Sequence, residues 1–203
     1  GANPANDLRD ILSEKGLAGC RIGIELNTYG LTGLSYDKVL NALKNWCLLE
    51  DASDVVRGLR LIKSSAELEY VRQAAHISDA ALVEMIQSSR PHTLDTIVTA
   101  AGLNSMLSKG GDVPPAGPLV NCGHRALYGR SVAGSHVIKD KDQVTIEFAS
   151  SYRRYTTCIM RTVVVGEVFS VQRDMFNIVS DAINAMTDAA APNMPLGSID
   201  DAH

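Results

Sequence analysis

The sequence predicts an α+β protein, with part of a smaller α/β domain over residues 1–58 followed by a larger domain over 59–203. Three observations predict it. A short helix–strand–helix pattern occupies the first 46 residues. A long amphipathic pattern follows, starting at about residue 64. After Gly110-Gly111 the apolar period changes from that of a helix to that of strands.

The elements follow in order. Residues 7–15 read as the end of a helix with Gly16 as its C-cap. Residues 20–26 (Cys-Arg-Ile-Gly-Ile-Glu-Leu) alternate as a strand does. Tyr36 to Trp46 reads as a helix with Val39, Leu40 and Leu43 on one face, and 53–63 reads as a link. Ser64-Ser65-Ala66-Glu67 is a capping box that opens a long helix. Leu68, Val71, Ala75, Leu82 and Met85 recur along it to about Ser88, and Arg90-Pro91 ends it. Thr93 caps the next helix, which runs through Ile97, Leu103 and Leu107. Residues 117–122, 143–149 and 156–165 are rich in Val, Ile, Thr and Tyr and read as strands, with a polar turn at 139–142. Residues 171–190 read as a helix capped by Ser170, with Met175, Val179, Ile183 and Met186 inward. Pro192 and Pro195 stop it, and the last residues begin another helix.

With 203 residues, 45% hydrophobic and 21% charged, the chain can bury a real core. Its net charge is −4 and it has no Lys/Arg run. Nucleic acid and anionic membrane surfaces are therefore not expected partners, because both need a basic stripe. No run approaches ~18 apolar residues, so no transmembrane helix is expected. The first seven residues lack the basic start and apolar run of a signal peptide. Cys20, Cys47, Cys122 and Cys158 are far apart and form no C-x-x-C pair. This spacing argues against a structural zinc site and fits a reducing compartment, so a cytoplasmic location is expected.

One segment resembles a known family. Leu-Arg-Leu-Ile-Lys-Ser-Ser-Ala-Glu-Leu-Glu-Tyr-Val-Arg-Gln-Ala-Ala (59–75) is similar to the linker and first catalytic-domain helix of aminopeptidase P, prolidase and creatinase, the "pita-bread" superfamily. Arg-Ile-Gly-Ile-Glu and Asp51-Ala52-Ser53 resemble the tail of that family's N-terminal domain. Residues 144–166 resemble the two strands that carry its first metal ligands. The resemblance implies a truncated pita-bread catalytic domain after part of the N-terminal domain. It also implies an incomplete chain, a C–N bond hydrolase and a homodimer. His203 does not fall where the family's ligand His would.

The resemblance also marks positions. Family metallopeptidases hold two divalent ions with two Asp, one His and two Glu, a hard-ligand set suited to Mn, Co or Zn. The two Asp positions correspond here to Glu147 and Cys158, which are 158 − 147 = 11 apart. A thiolate is a soft ligand and does not bridge two ions as a carboxylate does. Glu147 reads either as a substrate-binding carboxylate or as a carboxylate bonded to Arg153, Arg154 or Arg161. Cys158 reads as a buried small hydrophobe, or as a ligand, nucleophile or substrate contact. The family's active-site His position falls at Gly129 or Arg130. His124 and His136 lie nearby, and either has the titration range of an acid–base group. His76 and His92 read as surface residues.

These positions make His124 and Glu147 the candidate catalytic pair, and Arg130, Arg154, Tyr155 and Cys158 the candidate substrate-binding residues. Arginines here would grip a carboxylate bidentately. Of the adjacent pair Arg153 and Arg154, at most one is expected to point into the site. The loss of both Asp is similar to the creatinase and ectoine-hydrolase branch. That branch implies a metal-independent hydrolase of a small amino-acid-derived substrate, with no cofactor. The alternatives are a metal-dependent Xaa-Pro dipeptidase using Mn, Co or Zn, and a non-catalytic peptide- or protein-binding module.

Overall fold

The computed structural model describes residues 3–131, 133–134 and 136–202. His203 therefore lies outside the described residues. The chain divides into two units, Gly1–Ser65 and Ala66–His203.

In the first unit, helix α1 (Pro4–Glu14) starts at a proline, whose fixed φ and missing N–H suit a first turn. Asn3 accepts from Ala5 N to cap it. Strand β1 (Arg21–Ile24) leads to α2 (Gly33–Leu43), which is capped by Thr32. The next strand, β2 (Leu48–Asp51), pairs with β1 in parallel, Ile22 opposite Leu49. The segment read as a link is a helix, α3 (Ser53–Leu61). Ser53 binds the Asp51 carboxylate and accepts from the Leu26 and Asn27 amides at 2.9 Å, which ties the helix start to the end of β1. Arg21 and Glu50 pair at 2.5 Å across the two strands, and the guanidinium holds the half-buried Glu50 carboxyl below its ordinary range.

The second unit positions the candidate site. Helices α4 (Ser65–Ser88) and α5 (Asp95–Ser108) pack on a three-stranded antiparallel sheet. Its strands are β3 (Leu119–Cys122), β4 (Gln143–Tyr152) and β5 (Tyr155–Val164), in that spatial order. The buried stripe of α4 is Ala74, Ile77, Ser78, Ala81 and Met85, rotated from the one expected. Leu68 is exposed. Ser78 and Thr157 lock α4 to β5, with Ser78 Oγ donating to Thr157 O and Thr157 Oγ1 to Val71 O. Gly102 brings α5 against Met85, since a Cβ there would lie 2.5 Å from the Met85 sulfur. The core joins Met85, Val98 and Met106 to Val120, Val144, Ile146 and Phe148.

The β4–β5 hairpin turns through Arg153 and Arg154 alone, at φ +51° and +69°. Both arginines are therefore turn residues. They lie in the turn and not on the strands of the ribbon, because a two-residue turn of this hand needs positive φ at both positions. Helix α6 (Ser170–Ala189) has Phe169 as its N-cap residue, and Gln172 Oε1 accepts from the Phe169 amide. Met175, Val179 and Ile183, expected inward, are exposed at 55–61%. A short α7 (Gly197–Asp200) follows. Among the described residues, no helix is long and apolar enough to cross a membrane.

Candidate active site

Side chains alternate along β4. Val144, Ile146 and Phe148 point to the helices and are buried, so Thr145, Glu147 and Ala149 point to the opposite face. Directly opposed residues in an antiparallel pair share a face. That rule places Leu119 and Asn121 of β3 and Cys158, Met160 and Thr162 of β5 beside them. No helix covers this face among the described residues of the second unit. A loop crosses its β3 edge, beginning with a short 3₁₀ helix, Gly123–Leu127, and Thr145 Oγ1 donates to Ala126 O at 3.5 Å.

Glu147 meets Arg130 of this loop, Oε1 to Nη2 at 3.3 Å. Its partner is therefore none of Arg153, Arg154 or Arg161. Arg161 is opposite Ile146 and faces away, donating to Met160 O. Glu147 Oε2 is buried and has no hydrogen-bond partner among the described residues. The same holds for Asn121 Oδ1, one diagonal step away on β3, in a residue that is 1% exposed.

The other sequence candidates separate. Cys158 shares Glu147's face, two positions along β5 from Glu147's partner Met160. It is exposed, and so is not a core residue. Tyr155 lies on the helix face, where its hydroxyl donates to Glu67 Oε1 at 2.8 Å and its ring packs 5.6 Å from Tyr70. Arg154 sits in the turn, and its amide donates to Asp112 Oδ2. That is seven residues from Glu147, on the order of 20 Å along a strand. His124 is exposed and lines a shallow cleft with Leu127, Asp142, Gln143 and Gln172. This cleft is at the Gln143 end of β4, roughly 13 Å along the strand from Glu147. His76 and His92 are exposed, as expected.

His136 belongs to a different arrangement, one not foreseen from sequence. Asp95, the first residue of α5, is fully buried. Its carboxylate accepts from the backbone amides of Gly134 at 3.0 Å and His136 at 3.4 Å. His136 Nδ1 donates to Gly134 O, and Arg125 reaches the imidazole and Ser131 Oγ. Asp95 thereby anchors the far end of the loop that carries Arg130.

One of the two expected carboxylate positions is engaged by a guanidinium, and the other is a thiol. Among the described residues, no three His, Cys, Asp or Glu side chains cluster as a metal site would require.

Comparison with known proteins agrees with this architecture. Residues 69–203 match metallopeptidase family M24, and the chain belongs to that family. It is 31% identical to an Xaa-Pro dipeptidase of Pyrococcus furiosus over 85% of this chain and 51% of that protein. It is 27% identical to an ectoine hydrolase of Halomonas elongata over 77% of this chain and 41% of that protein. Among solved structures, the prolidase from Pyrococcus furiosus superposes with a TM-score of 0.83 at 27% identity, covering 96% of this chain and 55% of its own. The fold is thus that of the pita-bread prolidases and aminopeptidases. The chain spans about half the length of the curated relatives it matches.

Proposed function

We propose that the protein hydrolyses a C–N bond, amide or amidine, in a small amino-acid-derived substrate, and that it does so without a divalent metal. The observation that carries this reading is the Arg130 guanidinium against Glu147, with a thiol, Cys158, at the second expected carboxylate position. A carboxylate already facing an arginine is poorly disposed to bind hard cations and well disposed to sort a zwitterion. Arg130 is four-fifths exposed and free to turn to a substrate carboxylate. With Arg130 turned to the substrate's carboxylate, Glu147 would be left to face the substrate's nitrogen. His124 is the proposed acid–base group, because it lies on the same loop as Arg130. That role requires the loop to carry it up the strand. Arg154 and Tyr155 are no longer needed for this reading.

The second reading is a metal-dependent Xaa-Pro dipeptidase, favoured by the 31% identity to a protein of that name. A non-catalytic binding module is the third. The division at residue 58, a homodimer and a cytoplasmic location stay part of the proposal.

Metal content separates the first two readings. The full-length protein, exposed to Mn, Co and Zn and desalted, should hold close to none by elemental analysis and should turn over amide or amidine substrates in the presence of a chelator. One or two ions per chain, lost in Glu147→Ala, would establish the dipeptidase reading instead. A metal-free protein that turns over nothing would leave the binding module.

A further inference from the structure

Two thiols far apart in sequence are neighbours at the start of the first unit's sheet. β1 and β2 run parallel, with Arg21 opposite Leu48 and Ile22 opposite Leu49. One step back along both strands, the same register sets Cys20 opposite Cys47. Backbone bonds bracket the pair. Leu48 N donates to Cys20 O at 3.0 Å, and Gly19 N donates to Trp46 O at 2.8 Å. Hydrogen-bonded strands lie about 4.8 Å apart. That spacing is within the Cα separations that a disulfide spans, roughly 4.4–6.8 Å. Side chains alternate along a strand, so Cys20 falls on the side of Ile22 and Cys47 on the side of its partner Leu49. Both cysteines are free, Cys20 exposed and Cys47 half-buried. The two cysteines of the second unit have no such relation. Cys122 and Cys158 are held apart by strand β4, one opposite Val144 and the other opposite Ala149.

We infer that Cys20 and Cys47 are a modification site, a dithiol that a peroxide converts to a reversible disulfide within the chain. The site is independent of the reading of Glu147 and Arg130. The exposed Cys20 sulfur attacks one peroxide oxygen. The O–O bond breaks, water leaves, and Cys20 becomes a sulfenic acid. The Cys47 sulfur then attacks the Cys20 sulfur. The S–S bond forms, the S–O bond breaks, and the hydroxyl departs with the Cys47 proton as a second water. Two thiols and one peroxide thus give one disulfide and two waters, the sulfurs losing the two electrons that the peroxide gains. A dithiol reductant reverses the change by exchange. Cys20 reacts first because it is the more open of the two, and Cys47 resolves it because it stands directly across the ladder. Disulfides that form in a reducing compartment are usually of this transient kind. The bond ties the turn after α1 to the turn after α2, closing β1 and α2 into one loop. Closing a loop restricts the unfolded chain, so the oxidised first unit is held against opening.

The test is mass spectrometry of the full-length protein, fully reduced, treated with a small excess of hydrogen peroxide, alkylated, and digested without reductant. A peptide pair joined through Cys20 and Cys47 should dominate, and dithiothreitol should remove it. In Cys47→Ser the link is lost. Cys20 should then accumulate as a sulfenic acid that dimedone traps, at least roughly tenfold above the wild type. In Cys20→Ser, Cys47 should take up at least roughly tenfold less dimedone than Cys20 does in Cys47→Ser. Serine is nearly isosteric with cysteine; an alanine variant serves at either position if circular dichroism shows a folding defect. Peroxide-treated wild type that keeps both thiols, or that carries Cys20 only as a sulfinic acid, overturns the assignment. So does a link from Cys20 to Cys122, to Cys158 or to a second copy of the chain. A Cys47→Ser protein with no more sulfenic acid than the wild type overturns it too, because Cys47 would then not be the resolving thiol. Turnover enters none of these outcomes, so loss of the hydrolase reading leaves the dithiol site standing, and loss of the site leaves that reading untouched.

Discussion

The two faces of the β3–β4–β5 sheet are built from alternate residues of the same strands and have opposite characters. On one face Val144, Ile146 and Phe148 are at most 4% exposed and lock into α4 and α5. On the other, Cys158, Met160 and Thr162 are exposed, and two buried oxygens stand unpaired. One residue step along β4 therefore crosses from the packed layer to the open face.

The largest effect that would break this comparison comes from neighbouring substitutions. Ile146→Ala should lower the unfolding free energy by about 3–4 kcal/mol, the usual loss for emptying a buried Ile site. Glu147→Leu, one residue on, should leave stability unchanged or raise it by about 1 kcal/mol, because a buried unpaired acceptor disappears. The exposed partner Arg130 returns little. Urea denaturation reads both. Equal losses from the two would show that the open face is as structural as the packed one.

Asp95 sharpens the comparison, because it hangs the loop of the open face from the helix layer of the packed face. Its buried carboxylate accepts two backbone amides beyond residue 131. Asp95→Ala should cost about 2 kcal/mol, as for hydrogen bonds to a charged acceptor. It should also speed amide exchange at Gly134 and His136 while leaving Ile146 protected. Uniform acceleration across both would mean that the loop has no independent anchor.

Two cysteines test the faces chemically. Cys122 is buried on the helix side, opposite Val144, and Cys158 is exposed on the open side. Burial, and then the negative charges of Asp95 and Asp142, push the Cys122 thiol above its ordinary range. Iodoacetamide at pH 8 should label Cys158 at least roughly tenfold faster than Cys122, read by peptide mass spectrometry. A thiol whose folded value is raised contributes stability below its unfolded value of about 8.5, and that contribution is lost as pH rises through the folded value. Stability should therefore decline on the alkaline side, and Cys122→Ala should flatten the decline. Equal labelling of the two thiols would contradict the assignment of faces.

The second unit was the more legible in sequence. α4 and α5 are long and end at breakers, so local pattern sufficed to place them, although the N-cap position of α5 is Leu94 and not Thr93. That Glu147 and Cys158 share one sheet face agrees with the resemblance that put them on facing strands. What failed depended on partners remote in sequence. Leu48-Leu49-Glu50-Asp51 is too short to alternate, and it is a strand only because β1 lies beside it. Met175, Val179 and Ile183 form a clear helical stripe, but periodicity does not say what covers it. Tyr155 was assigned to the site by its motif, and its side chain turns to Glu67 because odd positions of β5 face α4. Asn121 and Asp95 were missed for one reason: burial of a polar residue is a tertiary fact. The available signal was an Asn inside an otherwise apolar strand, Leu-Val-Asn-Cys.

The smallest expected effect lies at the hairpin turn, which fixes the register on which both faces depend. Arg153 and Arg154 adopt positive φ without being Gly, Asn or Asp, and left-handed backbone costs other residues on the order of 1 kcal/mol each. The Arg154 amide donates to Asp112 Oδ2 at 2.8 Å, which holds the turn against the segment after α5 and offsets part of that cost. The double change Arg153→Asn, Arg154→Gly supplies the residues this turn prefers and keeps that amide. It should raise stability by about 1 kcal/mol without altering metal content or turnover in the full-length protein, because the turn lies on the order of 20 Å along the strand from Glu147. A loss of turnover in this variant would mean that the turn arginines reach the open face after all. Unchanged turnover with higher stability would confine the function to the Glu147 end of the sheet.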